Sequence, residues 1–169
     1  MRAVLQRHRL ALIIGLVILV TDQITKWLVL VHVAPIWPIK ITEFFNLVLV
    51  WNTGVSFGMF NDGGDLGRWL LIGLALIISG MVARWLYAEQ SRFMGFAYVI
   101  IIAGAIGNVI DRIRFGAVVD FLDVHVGGYH WPAFNVADSA IVIGALLIAF
   151  NLFTGDSSPD NAGEQSRGS

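Results

Sequence analysis

Four stretches of this chain are each long and apolar enough to cross a bilayer, and that leaves few folds open to it. They run from about Leu10 to Val31, Arg68 to Tyr87, Phe93 to Ile110 and Asn135 to Phe153. A helix crossing the hydrocarbon core needs about 20 mostly apolar residues, and the third stretch is uncharged for 18. With no water there to satisfy the backbone, such a segment must close its hydrogen bonds within itself. Composition agrees: 57% of residues are hydrophobic and 14% charged, against about 45–50% and 25% in soluble domains. The mean hydropathy is +0.75. The expected fold is a mainly α membrane protein, a single four-helix transmembrane domain over residues 1–153.

An even number of spans puts both termini on one side. Basic residues in short flanking segments mark the cytoplasmic face. Here they are Arg2, Arg7 and Arg9 at the N-terminus, and Arg84 and Arg92 around the second turn. The longer connections, about 32–67 and 111–134, then face outward. Arg112 and Arg114 run against this rule and call for a local partner, such as Asp111 or an anionic substrate group. All six tryptophans fall near span ends or in connections, as interfacial anchors do. The basic start followed by Leu10–Val20 resembles a signal peptide. However, Thr21-Asp22-Gln23 stands where a small-residue cleavage site would be, so an uncleaved anchor is expected.

The outward connections carry strand signals. Ile39–Trp51 is rich in β-branched and aromatic residues and predicts one or two strands; Val118–Val126 predicts another. Asn61-Asp62-Gly63-Gly64 reads as a turn and as a mobile lip. From Thr154 the tail is nearly devoid of apolar residues and is expected to be disordered and cytoplasmic. The net charge of −1 offers no basic field for nucleic acid. There is no cysteine, so no disulfide, thiolate metal site or cysteine nucleophile is possible. His8, His32, His125 and His130 lack H-E-x-x-H spacing, and no G-x-S-x-G elbow occurs. No metal or cofactor is expected, and His125 and His130 are assigned to an exposed loop.

Ionisable residues at the ends of such spans are costly and point to function. Helical spacing puts Gly104, Asn108 and Asp111 on one stripe, Asn135 with Asp138 on another, and Asp22 with Lys26 on a third. Each stripe has its charged end at the outward membrane level. Small and polar residues also serve simply as helix-packing contacts, and Asp22–Lys26 reads best as a structural ion pair. Asp138 fits a helix N-terminus electrostatically, Asp120 fits a solvated loop beside Asp123, and Asn52 fits a plain turn. Against these readings, two carboxylates near a low-dielectric boundary are what acid–base hydrolysis requires. Close like charges share one proton, which leaves one acid and one base.

Five blocks sharpen the choice. D-Q-I-T-K (Asp22–Lys26), N-T-G-V-S-F (Asn52–Phe57), A-G-A-I-G-N-V-I-D-R (Ala103–Arg112), V-V-D-F (Val118–Phe121) and F-N-V-A-D (Phe134–Asp138) occur in this order. Together they resemble the lipoprotein signal peptidases, or signal peptidase II, of the bacterial inner membrane, over about Leu10 to Phe153. The resemblance implies an aspartic endopeptidase that cuts prolipoproteins just before a diacylglyceryl-modified cysteine, near the periplasmic face. It implies Asp120 and Asp138 as the catalytic pair, Asp120 being chosen over Asp123 because the acid stands first in V-V-D-F. Asn52, Gly54, Asn108, Arg112 and Asn135 match positions around the substrate, and Asp22, Lys26 and Asp111 match supporting ones. Membrane lipids as neighbours, inhibition by globomycin-type cyclic peptides and a monomeric state also follow from it. Ala103 departs from the glycine that many members carry.

Two rivals come from other classes: a small proton-coupled transporter or relay subunit using Asp22, Asp111 and Asp138, and a non-catalytic scaffold. Transport favours acids deep within the spans, whereas these cluster at one face. A scaffold gives no reason for two aspartates on separate elements at one depth.

Overall fold

The computed structural model describes residues 2–34, 36–54 and 64–154. Helix α1 (Arg2–Arg7) runs through His8 into α2 (Arg9–Leu28), which widens into a π-helical turn, Val29–Val33. Strands β1 (Ile39–Thr42) and β2 (Phe45–Asn52) follow, then α3 (Gly64–Ala88) and α4 (Arg92–Phe115). Strands β3 (Val118–Val126) and β4 (Tyr129–His130) precede α5 (Val136–Thr154). Among the described residues four helical segments are long and apolar enough to span a membrane. Of the expected lip, Asn61–Gly63 lies outside the described residues, as does the tail from 155, while Gly64 opens α3.

Helix α4 is the hub. Of its most apolar window 61% is buried within the protein, against 17–22% for the other three spans. Gly104 permits its approach to α5, since a Cβ there would collide with the Ala137 carbonyl oxygen. The outer helices show large apolar side chains such as Leu16, Ile77 and Leu146 to their surroundings, as lipid-facing surfaces must. All six tryptophans are about half exposed or more, Trp51 least at 46%.

The apolar span and the helix do not end together on α4. The hydropathy pattern ends it at Ile110 and assigns 111 onward to a loop, yet the helix continues to Phe115. Asp111 is neutralised by Lys26 and so can stay helical in a buried setting. Gly116, with φ 80, ends the helix in the left-handed region and donates its N–H to the Arg112 carbonyl. Arg114 lies over the Phe115 ring, which supplies one of the local partners its position requires.

At one end of the bundle the strands form an antiparallel sheet, β1-β2-β3-β4. Val119 and Phe121 pack it onto Val29 and Val33 of the π-helical turn. Between Leu47 and Val50 the β2–β3 register shifts: Leu47 faces Leu122, but Val50 faces Asp120 and Asn52 faces Val118. This is a bulge, with one residue more on β2 than on β3. His125 and His130 are not in an exposed loop, because they pair across β3 and β4 with their rings stacked 4.6 Å apart. The Gly127-Gly128 turn, both residues at positive φ, creates that short hairpin.

Candidate active site

The site forms where β3, the end of α4 and the start of α5 meet. Asn135 precedes α5 and caps it: its Oδ1 accepts the Asp138 N–H at 2.9 Å, and Asp138 Oδ2 accepts the Asn135 N–H at 3.2 Å. This reciprocal pair is a capping box with an Asn and an Asp in its two roles. The spare Nδ2 of Asn135 points the other way and donates to Asp120 Oδ1 at 2.7 Å. One buried side chain therefore connects both aspartates.

Each aspartate has a second amide donor. Asn52 Nδ2 donates to Asp120 Oδ2 at 2.9 Å, and Asn108 Nδ2 to Asp138 Oδ1 at 2.8 Å. Asn52 is also a turn residue, since its Oδ1 accepts the Gly54 N–H at 2.8 Å. Gly54 has φ 77, and a Cβ there would meet Leu71 at 2.5 Å and come within 3.6 Å of the Arg112 guanidinium. Asp120 is 1% exposed, whereas Asp138 is half-buried. Burial pushes the Asp120 carboxyl up to about 6; the Asn52 and Asn135 bonds oppose this, and the charge of Asp138 adds to it. Two cavities meet at Asn52 and Pro132. One, of about 590 Å³, runs past Asp138 along Val142 and Ile143, and the other, of about 370 Å³, reaches Asp120 and Gly54.

A buried charge cluster lies beneath this pair. Lys26 Nζ sits 2.8 Å from Asp22 Oδ2 and 2.9 Å from Asp111 Oδ2, and donates to Asn108 Oδ1 at 3.2 Å. The Asp22–Lys26 ion pair read from spacing is thus three-membered. Gln23, which spacing leaves without a role, donates to Asp111 Oδ1 and the Gly107 carbonyl. Its signal is present in the chain: an amide three residues before Lys26, on the same helix face. Arg112 donates only weakly, to the Asn108 carbonyl at 3.5 Å, and its buried Nε has no partner among the described residues.

Asp123 stands apart from this arrangement. It accepts from Asn46 at 2.9 Å and lies 2.8 Å from the His130 ring. Burial raises its pKa, but the His130 and Asn46 bonds and the two histidine charges outweigh that and hold it below the ordinary value. Among the described residues no three His, Asp or Glu side chains converge as metal ligands would.

A family described as signal peptidase (SPase) II matches residues 14–154. The lipoprotein signal peptidase of Pseudoalteromonas atlantica is 42% identical over 142 residues, 83% of this chain and 87% of that protein. That of Thermodesulfovibrio yellowstonii is 46% identical over 133 residues, 79% and 87% of the two chains. A solved structure described as a bacterial membrane enzyme superposes with a TM-score of 0.73 at 29% identity, covering 87% of this chain and 89% of its own. Four apolar helices, a small sheet at one end and this extent of similarity lead to one assignment: the chain is a multi-pass membrane peptidase that belongs to the signal peptidase II, or lipoprotein signal peptidase, family.

Proposed function

We propose that Asp120 and Asp138 are the catalytic dyad of an aspartic signal peptidase II, which cleaves diacylglyceryl-modified prolipoproteins immediately before the lipidated cysteine. The observation that supports this best is Asn135, which hydrogen-bonds both carboxylates at once. In the reaction one carboxylate takes a proton from water as the water oxygen attacks the scissile carbonyl. The other protonates the carbonyl oxygen; as the resulting diol collapses, the first gives the proton taken from water to the leaving nitrogen and the second recovers a proton from a diol hydroxyl. Asn52, Gly54, Asn108, Arg112 and Asn135 are the residues around the substrate, and the cavity along Val142 and Ile143 suits an acyl chain. Asp22, Lys26 and Asp111 support the site from below.

The positive-inside pattern supports insertion in the bacterial inner membrane with both termini cytoplasmic and the sheet periplasmic. The protein acts as a monomer in contact with membrane lipids and is inhibited by globomycin-type cyclic peptides. A proton relay through Asp22 and Asp111 is disfavoured, because Lys26 already holds both carboxylates. The test is cleavage of a diacylglyceryl-modified prolipoprotein by purified wild type, Asp120→Asn, Asp138→Asn and Asp123→Asn. Loss of turnover in the first two variants, with folding intact, and retention in the third is expected. Near-normal turnover in either dyad variant would refute the dyad, and an inactive Asp123→Asn alone would move the acid to that position.

A further inference from the structure

Another cavity lies at the end of the bundle away from the aspartates. It encloses about 580 Å³ between the start of α2 and the start of α4. Arg9 and Lys26 are 17 residues apart on the span formed by α2. At about 1.5 Å per residue this puts the cavity roughly 25 Å from the charge cluster, at the opposite membrane boundary. Arg7, Arg9 and Arg92 line it, and among the described residues no acidic one does. Arg7 is held by the Glu89 carbonyl at 2.8 Å. The Glu89 carboxylate accepts the N–H groups of Gln90 and Ser91. Arg9 and Arg92 make no ion pair among the described residues.

The floor is His8, 2% exposed, with Nδ1 lacking a hydrogen-bond partner among the described residues. Its ring fills the space a side chain at position 95 would need: a Cβ on Gly95 would collide with that nitrogen. Apart from Gln6, the remaining wall is apolar and continuous with the outer surface of the bundle, where Leu10 is 71% and Phe93 40% exposed. Unpaired cations at the boundary, with apolar side chains on the bilayer side, are complementary to one kind of molecule: a phosphodiester with acyl chains attached. Guanidinium groups suit phosphate oxygens geometrically as well as in charge, and basic pockets between spans take anionic headgroups for this reason.

We propose that this cavity binds an anionic glycerophospholipid, its phosphate on Arg9 and Arg92 and an acyl chain along Leu10 and Phe93. The site is separate from the aspartates and does not depend on the reaction they carry out.

The test uses the full-length protein in zwitterionic detergent, incubated with phosphatidylglycerol or phosphatidylcholine of equal acyl length. Lipid retained per protein is measured after gel filtration. Wild type should retain phosphatidylglycerol at least about tenfold over phosphatidylcholine, the equivalent of about 1.4 kcal/mol. Raising the salt to about 0.5 M should reduce that preference as charge is screened. Arg9→Gln combined with Arg92→Gln should bring the two lipids level, while Arg84→Gln, outside the cavity, should leave the preference intact. Equal retention by wild type overturns the proposal without any variant, as does a preference that salt does not alter. An unchanged preference in the double variant also overturns it. Displacement of the lipid by glycerol 3-phosphate at equal concentration would show a free-phosphate pocket and overturn the lipid assignment.

Discussion

The Asp22 carboxylate on α2 accepts the backbone N–H of Ala137 at 2.9 Å, across 115 residues of chain. Asp111 does the same for Val119 at 3.1 Å. Ala137 immediately precedes Asp138, and Val119 immediately precedes Asp120. The two anchors are themselves joined by Lys26. One ammonium group thus fixes the backbone beside both members of the proposed dyad.

Removing that ammonium leaves two buried carboxylates facing each other. Lys26→Met should therefore lower unfolding stability by about 3–5 kcal/mol, the range for breaking a buried ion pair. Asp111→Asn should lower it much less, because Lys26 keeps Asp22 and the new amide oxygen can still accept from Val119. Denaturant unfolding in detergent ranks the two. A milder loss for Lys26→Met would mean the cluster does not hold the fold.

The raised Asp120 pKa sets the sign of a pH effect. Folded protein binds this proton up to about pH 6, whereas an ordinary aspartate releases it near 3.8. The associated stability is fully present below 3.8, falls as pH rises through about 6, and is absent above it. Thermal midpoints of wild type should decline over that window relative to Asp120→Asn, whose profile lacks this component. Parallel profiles would count against the burial of this carboxyl.

Asn135 combines a cap with a donor, and two substitutions separate them. Asn135→Ala loses both and should cost about 1 kcal/mol in capping as well as turnover. Asn135→Asp keeps a good cap but replaces the Nδ2 donor to Asp120 with a third carboxylate. It should lose turnover while the α5 N-terminus retains its amide protection in hydrogen exchange. Wild-type turnover in Asn135→Asp would remove the bridge from the mechanism.

Two glycines predict opposite outcomes. Gly104→Ala drives a methyl into the Ala137 carbonyl and Ile141, so α4 and α5 must separate. Overpacking of this kind costs about 1–3 kcal/mol, and it displaces the Asp138 end of α5 as well. At Gly73 a methyl would meet no heavy atom within 4 Å, so Gly73→Ala should be neutral or stabilising, by up to about 1 kcal/mol from helix propensity. Melting and turnover of both variants decide the comparison.

How much of this is legible in the chain depends on what each residue answers to. The spans follow from solvent and length alone, and β3 is readable because Val118–Val126 is rich in β-branched and aromatic residues. The end of α4 is not, since hydropathy stops at a charge whereas a helix stops at its cap; Lys26 makes Asp111 tolerable from 85 positions away. The Asn135–Asp138 spacing suggests a shared face, and its capping role is local enough to be read. The donor from Asn135 to Asp120 depends on where β3 passes α5, which no local pattern encodes. His130 escapes a sequence reading for a related reason: a two-residue strand after a Gly-Gly turn has too few side chains to show alternation, whereas His125 falls within the Val118–Val126 run that does read as a strand.

The bulge in β2 has a consequence for how this scaffold can vary. Continued straight from Leu47–Leu122, the ladder would bring Trp51 rather than Asn52 opposite Val118. Side chains alternate faces along a strand, so that slip would carry the amide away from Asp120 and put an indole on its side. The extra residue keeps the count in step, and it is also slack. A deletion between Leu47 and Val50 could flatten the strand with Asn52 still opposite Val118. An insertion there has no such outlet, because it needs a second bulge or a change of face. This edge of the molecule can therefore afford to shorten but not to lengthen, a one-way tolerance that no catalogue of substitutions would reveal.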